Sequence, residues 1–257
     1  MSNRCAGCTI GSIATWAFFS FVSIASAAQG QPAASVSRTA DGKPDLSGIW
    51  QAVNTAAWDI QDHQAQKGVP AGTGVVEGND IPYQPWAAAK KKENYEKRMA
   101  ADPEARCYLP GVPRIMYMPY PFQIFQDPEQ VVILFEYVHA TRDIFMGSEH
   151  PPRHIDWWMG DSRGRWEGDT LVVDLVDFND ETWFDRAGNF HSDALHLVER
   201  YTPMGPDHIH YEVTVEDPKV FTKPWKMSMT FYRLKEKNLQ LLEYECYAFD
   251  HEFHATP

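Results

Sequence analysis

The run LHLVERYTPMGPDHIHYEVTVEDPKVFTKPWKMSMTFYRL, residues 195–234, decides the fold. It divides into three β-rich stretches, 195–202, 208–215 and 224–234, separated by Pro203-Met204-Gly205-Pro206-Asp207 and by Asp217-Pro218. In 195–202 and 208–215 side chains alternate with a period of two, as on strands with two distinct faces. A fourth run, 239–248, follows Lys235-Glu236-Lys237-Asn238. Upstream, 165–176 contains the turn-like Glu167-Gly168-Asp169, while 130–137 and 138–146 abut without a turn residue, so a bulge or bend is expected near His139. Short strands punctuated by tight turns predict a mainly β chain: an antiparallel meander closed as a lipocalin-like barrel. Strand–helix alternation, Gly-x-Gly-x-x-Gly and Gly-x-x-x-x-Gly-Lys are absent, which excludes Rossmann and phosphate-loop readings.

Towards the N-terminus, 46–53 reads as the first strand. An excursion, 54–121, follows it. Its first part, 54–82, is glycine-punctuated and aperiodic, hence a long loop. Residues 84–101 predict one helix outside the barrel, with Pro85 in its first turn and a solvated face from Lys90 to Arg98. Five prolines in 103–121 suggest an ordered wrapping segment. The barrel domain is expected over 46–250, followed by a tail at 251–257.

Residues 1–27 read as a signal peptide: Arg4, an apolar run interrupted by Gly11, Ser12, Thr15, Ser20 and Ser23, then Ala25-Ser26-Ala27. Composition makes 28–45 a mobile leader. The expected location is periplasmic or secreted. Cys107 and Cys246 remain after cleavage, and an exported pair is most simply a disulfide. Lys and Arg number 23 against 35 Asp and Glu, a net charge of -12, which makes nucleic acid and anionic membrane surfaces poor partners. Aromatics at 13 %, with nine tryptophans, favour a small apolar or aromatic ligand.

Gly48-Ile49-Trp50 resembles the first strand of lipocalins and fatty-acid-binding proteins, where a Gly-x-Trp tripeptide closes the bottom of the barrel. A wider resemblance is carried by Asp102-Pro103-Glu104-Ala105-Arg106-Cys107, by the run from Trp158 to Asp174 through Gly160-Asp161-Ser162-Arg163-Gly164-Arg165-Trp166-Glu167-Gly168-Asp169, and by the run from Phe178 to His196. There the chain is similar to a broad family of exported bacterial proteins of unknown function. That resemblance implies the barrel and the exported location, and assigns no role to any residue.

The candidate chemistry lies in the loop 177–194 and the strand after it. Asp180, Trp183, Asp185, Arg186, His191 and Asp193 supply an imidazole, carboxylates to orient it, a guanidinium for developing negative charge and an aromatic wall. The competing reading is that they make turns and brace a long loop. On 195–202, one face carries Leu197, Glu199 and Tyr201, the other His196 and Arg200; the alternation does not choose which is inward. His139 and Arg142 are candidates to face the same cavity, with Trp158 and Tyr117 in its lining. His191, His196 and Glu199 could together bind a metal. The leading expectation is a cofactor-independent enzyme, a lyase, isomerase or hydrolase. In it His191 is the proton shuttle, Asp185 or Asp193 its orienter, Arg186 the charge stabiliser, and Glu199 or His196 the second titrating group. A non-catalytic carrier and a metal-dependent enzyme are the alternatives.

Overall fold

In the computed structural model, which describes residues 35–66, 69–152 and 155–246, nine strands close into a barrel. They are β1 (Gly48–Ala52), β2 (Phe122–Gln126), β3 (Gln130–Phe135), β4 (Thr141–Met146), β5 (Asp161–Glu167), β6 (Thr170–Val176), β7 (His196–Pro203), β8 (His208–Glu216) and β9 (Trp225–Arg233). Each strand pairs with its neighbours in sequence, and β9 closes on β1 through Trp50↔Arg233 and Ala52↔Phe231. All the pairings are antiparallel except β4 with β5, which is parallel. The meander thus holds with one reversal, because residues 147–160 carry the chain back along the barrel before β5 starts. The expected signal segment 1–27, the leader to residue 34 and the tail 251–257 lie outside the described residues.

Alternation does the folding work. On β7 and β8, Leu197, Glu199, Tyr201, Ile209, Tyr211, Val213 and Val215 are all buried, while their neighbours in sequence are more exposed. The inward face of β7 is therefore the Leu/Glu/Tyr face, and His196 and Arg200 lie outside. Phe122, Tyr201, Tyr211 and Phe231 stack in the interior, with Tyr211 and Phe231 centroids 4.9 Å apart. These residues pack the barrel interior. Each such ring contributes roughly 1.5–3 kcal/mol by its burial.

The two ends differ. At one end the hairpins are short, and the Trp50 indole donates to the Leu46 carbonyl (2.9 Å) beneath the Arg233 guanidinium, 4.1 Å from the ring. Arg233 also donates to the Ser47 and Pro206 carbonyls. Gly48 has φ +136°, and a Cβ there would sit 2.1 Å from Arg233, so only glycine lets the guanidinium cross this end. Residues 35–45 are tied down here, Arg38 forking onto Asp169 at 2.7 and 3.0 Å.

The other end carries the long connections. The helix α1 (Pro85–Ala101) lies in the excursion, and the 3-10 turns Pro103–Arg106 and Arg114–Tyr117 follow it. Val112, Ile115, Met116 and Tyr117 plug this mouth together with Phe184 and Phe190 of the 177–195 loop. The turn between β3 and β4 is tight: Val138 and His139 both take left-handed φ, 49° and 48°. Of the run 239–248 expected as a strand, the described part, 239–246, does not join the sheet, because β1 and β9 already consume each other's edges. It docks on that turn instead, with Val138 N donating to the Tyr244 carbonyl (3.0 Å) and Leu242 N to Glu136 (2.8 Å). The Cys107–Cys246 disulfide fastens the segment, linking residues 139 apart in sequence. That bond points to an oxidising, extracytoplasmic location. No helix among the described residues is long and apolar enough to cross a membrane.

Candidate functional site

Inward positions on β4 and β7 bring together two residues 57 apart in sequence. Arg142 Nη1 and Nη2 donate to Glu199 Oε1 (3.1 Å) and Oε2 (2.5 Å), a forked pair with side chains 1 % and 0 % exposed. Tyr211 donates its hydroxyl to Glu199 Oε1 (2.6 Å), Tyr201 lies within reach of both partners, and Arg142 Nε donates to Ser162 Oγ (3.1 Å). Burial opposes the charge on Arg142, but the Glu199 carboxylate prevails and holds the guanidinium more firmly protonated than usual. Burial and the same carboxylate push the Tyr201 and Tyr211 hydroxyls up, so both stay neutral donors.

The parallel seam runs beside this network. The β4–β5 ladder runs from Ile144↔Ser162 to Met146↔Gly164, so residues 141–143 have no partner across the seam. A cleft of about 360 Å³ lies along this seam. Leu109, Phe145, Trp157, Trp158 and Met159 make its apolar sides. Thr141, Arg142, Asp143, Asp161 and Ser162 supply its polar groups. The connection before β5 brings the tryptophans: Trp157 bridges to Phe178, and Trp158 packs edge-on against Tyr108 at 5.1 Å. Gly160 turns at φ +69° against the Phe178 ring, where a Cβ would come within 2.6 Å. Arg163 forks onto Asp161 at 2.7 Å on each oxygen, and, against the effect of burial, Arg163 and His150 hold that carboxyl below its usual range. Asp143 has no cationic partner among the described residues and accepts from the Gln130 amide at 2.6 Å.

The expected constellation around His191 is not assembled. His191 Nδ1 donates its proton to the Ser192 carbonyl (2.9 Å) and Nε2 meets the Thr182 hydroxyl (2.6 Å), so both ring nitrogens are already engaged within the loop. Burial lowers its pKa and keeps it neutral. Asp185, fully buried, accepts from Ile60 N, Asn189 N and Asn189 Nδ2, and burial reinforced by Asp59 pushes its pKa up to about 7. Arg186 pairs with Glu104 at 2.7 and 2.8 Å, not with its aspartate neighbours. It borders a hollow of only about 10 Å³, room for a water at most. Asp193 is exposed beside Lys219, Asp180 is exposed, and Trp183 is partly buried and packs against the core. Tyr117 ties the excursion to the loop by donating to the Phe184 carbonyl (2.7 Å), and His139 meets Glu245 at the surface. Of the residues singled out in the sequence, Arg142 and Trp158 line the cleft, and Glu199 stands behind Arg142.

His191 and His196 do not meet Glu199, since His196 lies outside the barrel against Asp174 (2.9 Å) and Glu216 (3.4 Å). Among the described residues no group of three or more His, Cys, Asp or Glu is placed to hold a metal ion. The sequence places Asp143 on the face of its strand opposite Arg142, as observed, but gives no sign of Ser162 or of the outer chain in which Asp161 and Asp174 flank His150 at 2.5 and 2.8 Å. The spacing Asp161-Ser162-Arg163 is the period-two signature of a strand, but it does not reveal which strand lies alongside. No protein-family model matches the chain, and no curated protein matches it.

Proposed function

We propose that this chain is an exported enzyme that takes a small apolar or aromatic molecule into the β4–β5 cleft and acts on it by acid–base chemistry. The observation that carries the reading is a buried guanidinium, Arg142, forked on Glu199 at the edge of an aromatic-walled cleft along the β4–β5 seam. A buried ion pair is a poor source of stability, since apolar replacements often serve as well, and such pairs concentrate where charge is used. In this reading Ser162, whose Oγ accepts from Arg142, donates its hydroxyl to a substrate oxygen, and Asp143 exchanges the proton. Glu199, with Tyr201 and Tyr211, is a positioning residue that fixes the guanidinium. The resemblance to lipocalins supports a ligand-binding barrel, and the position of the cleft favours the β4–β5 seam as the binding place.

The test is a panel of aryl ketones, esters and ethers incubated with the protein and followed by mass spectrometry. Asp143→Asn should lower turnover of any converted member by about 10²-fold or more while its Kd changes little. Panel members that bind, are never converted and are indifferent to Asp143→Asn would establish the rival reading, a carrier.

A further inference from the structure

The charges around the cleft say what kind of molecule it accepts. Arg142 is already neutralised by its fork on Glu199, and Arg163 by its fork on Asp161. Neither guanidinium is left to balance a ligand charge. Asp143 lines the same cleft without a cationic partner among the described residues, so the local balance is negative, as is the whole chain at -12. A ligand carboxylate would meet an uncompensated like charge with low-dielectric walls on either side.

The floor nevertheless asks for an acceptor. Ser162 is 2 % exposed, and its Oγ accepts from Arg142 Nε; the hydroxyl hydrogen has no acceptor among the described residues. A buried donor left without a partner is costly, so a bound molecule that supplies an oxygen gains there. The volume, about 360 Å³, lies near the low end of the range of small-molecule pockets, roughly 300–1,000 Å³. Trp157, Trp158 and Phe145 offer flat faces for one or two rings.

We infer that the cleft selects uncharged aryl compounds of one or two rings bearing a hydrogen-bond-accepting oxygen, with that oxygen on Ser162, and that it rejects the corresponding carboxylates. This rests on the cleft being the binding site. The experiment compares 2-acetylnaphthalene with 2-naphthoate, which share the ring system, by isothermal titration of the full chain. The ketone should bind at least about tenfold more tightly at low salt. Asp143→Asn, an exposed position that leaves the core untouched, should shrink that gap, and raising the salt concentration should do the same. Trp158→Ala should weaken the ketone. Equal or tighter binding of 2-naphthoate overturns the charge selection while leaving the cleft reading intact. Ketone binding indifferent to Trp158→Ala, or no binding of either probe, overturns the cleft reading, and the selection falls with it.

Discussion

Arg142 and Arg114 are equally hidden, 2 % and 1 % exposed, and each is forked onto a carboxylate, yet they do different things. Arg114 grips Asp102 at 2.8 and 2.9 Å and Glu104 at 2.7 Å, and Glu104 in turn holds Arg186 of the 177–195 loop. That network joins two connecting segments at the plugged end of the barrel and lines no part of the 360 Å³ cleft. Arg142 joins two walls of the barrel where the strands part, so the same chemistry faces a cleft. Burial and charge pairing do not by themselves mark a site. Access does.

The largest expected effect breaks the comparison on stability. Arg114→Met and Arg142→Met should each cost roughly 3–5 kcal/mol in urea unfolding, since each strands a buried carboxylate. A second substitution separates them. Arg142→Met with Glu199→Leu removes both charges, leaving only the neutral Tyr201, Tyr211 and Ser162 hydroxyls to find new partners, and should recover a large part of the loss. Arg114→Met with Asp102→Leu still leaves Glu104 short of a partner and should recover little. Equal recovery in the two double variants would mean that the networks are not organised as described.

A smaller effect, read against pH, sharpens the role of the loop. Asp185 titrates at about 7 in the folded chain, because it is buried and faces Asp59, against about 3.9 for an unfolded Asp. Between those values the folded state holds the extra proton, so this group's contribution to stability falls as pH rises from about 4 to about 7 and is level above. Asp185→Asn does not titrate. Its deficit relative to the parent, measured by thermal unfolding, should therefore be largest near pH 4.5 and shrink towards pH 7.5. A deficit that grows with pH would contradict the buried, proton-retaining carboxyl.

Much of the barrel was legible because alternation is local. The hairpin turns at Gly168 and at 203–207 announce themselves by composition, and α1 by its proline and its charged face. The face of β7 was not legible, since Glu199 and Tyr201 are as polar as His196 and Arg200; only Arg142, 57 residues away, makes Glu199 an inward residue. The cleft was hidden for the same reason. It exists because β4 and β5 run parallel and part at residues 141–143, a pairing that neither strand's sequence encodes. The 177–195 loop misled in the opposite direction, its density of titrating groups reflecting what a long buried connection needs. Asp185 satisfies Ile60 and Asn189 amides, and Arg186 reaches Glu104, 82 residues away.

The smallest expected effect bears on His191, which the sequence put at the centre. Its ring is held by Thr182 and Ser192 between Phe178 and Phe184, whose centroids lie 6.1 and 5.3 Å from it. Glutamine can replace the Thr182 contact but not both contacts and the ring packing, so His191→Gln should cost about 1–2 kcal/mol, the net worth of a buried hydrogen bond or two. No His191 atom lines the cleft, so titration of 2-acetylnaphthalene into His191→Gln should give the parent affinity. Any turnover found for the parent should survive within a few-fold, because the imidazole has no free nitrogen with which to shuttle a proton. A loss near the 10²-fold expected of a missing general base would return the chemistry to the loop and leave the cleft without its assignment.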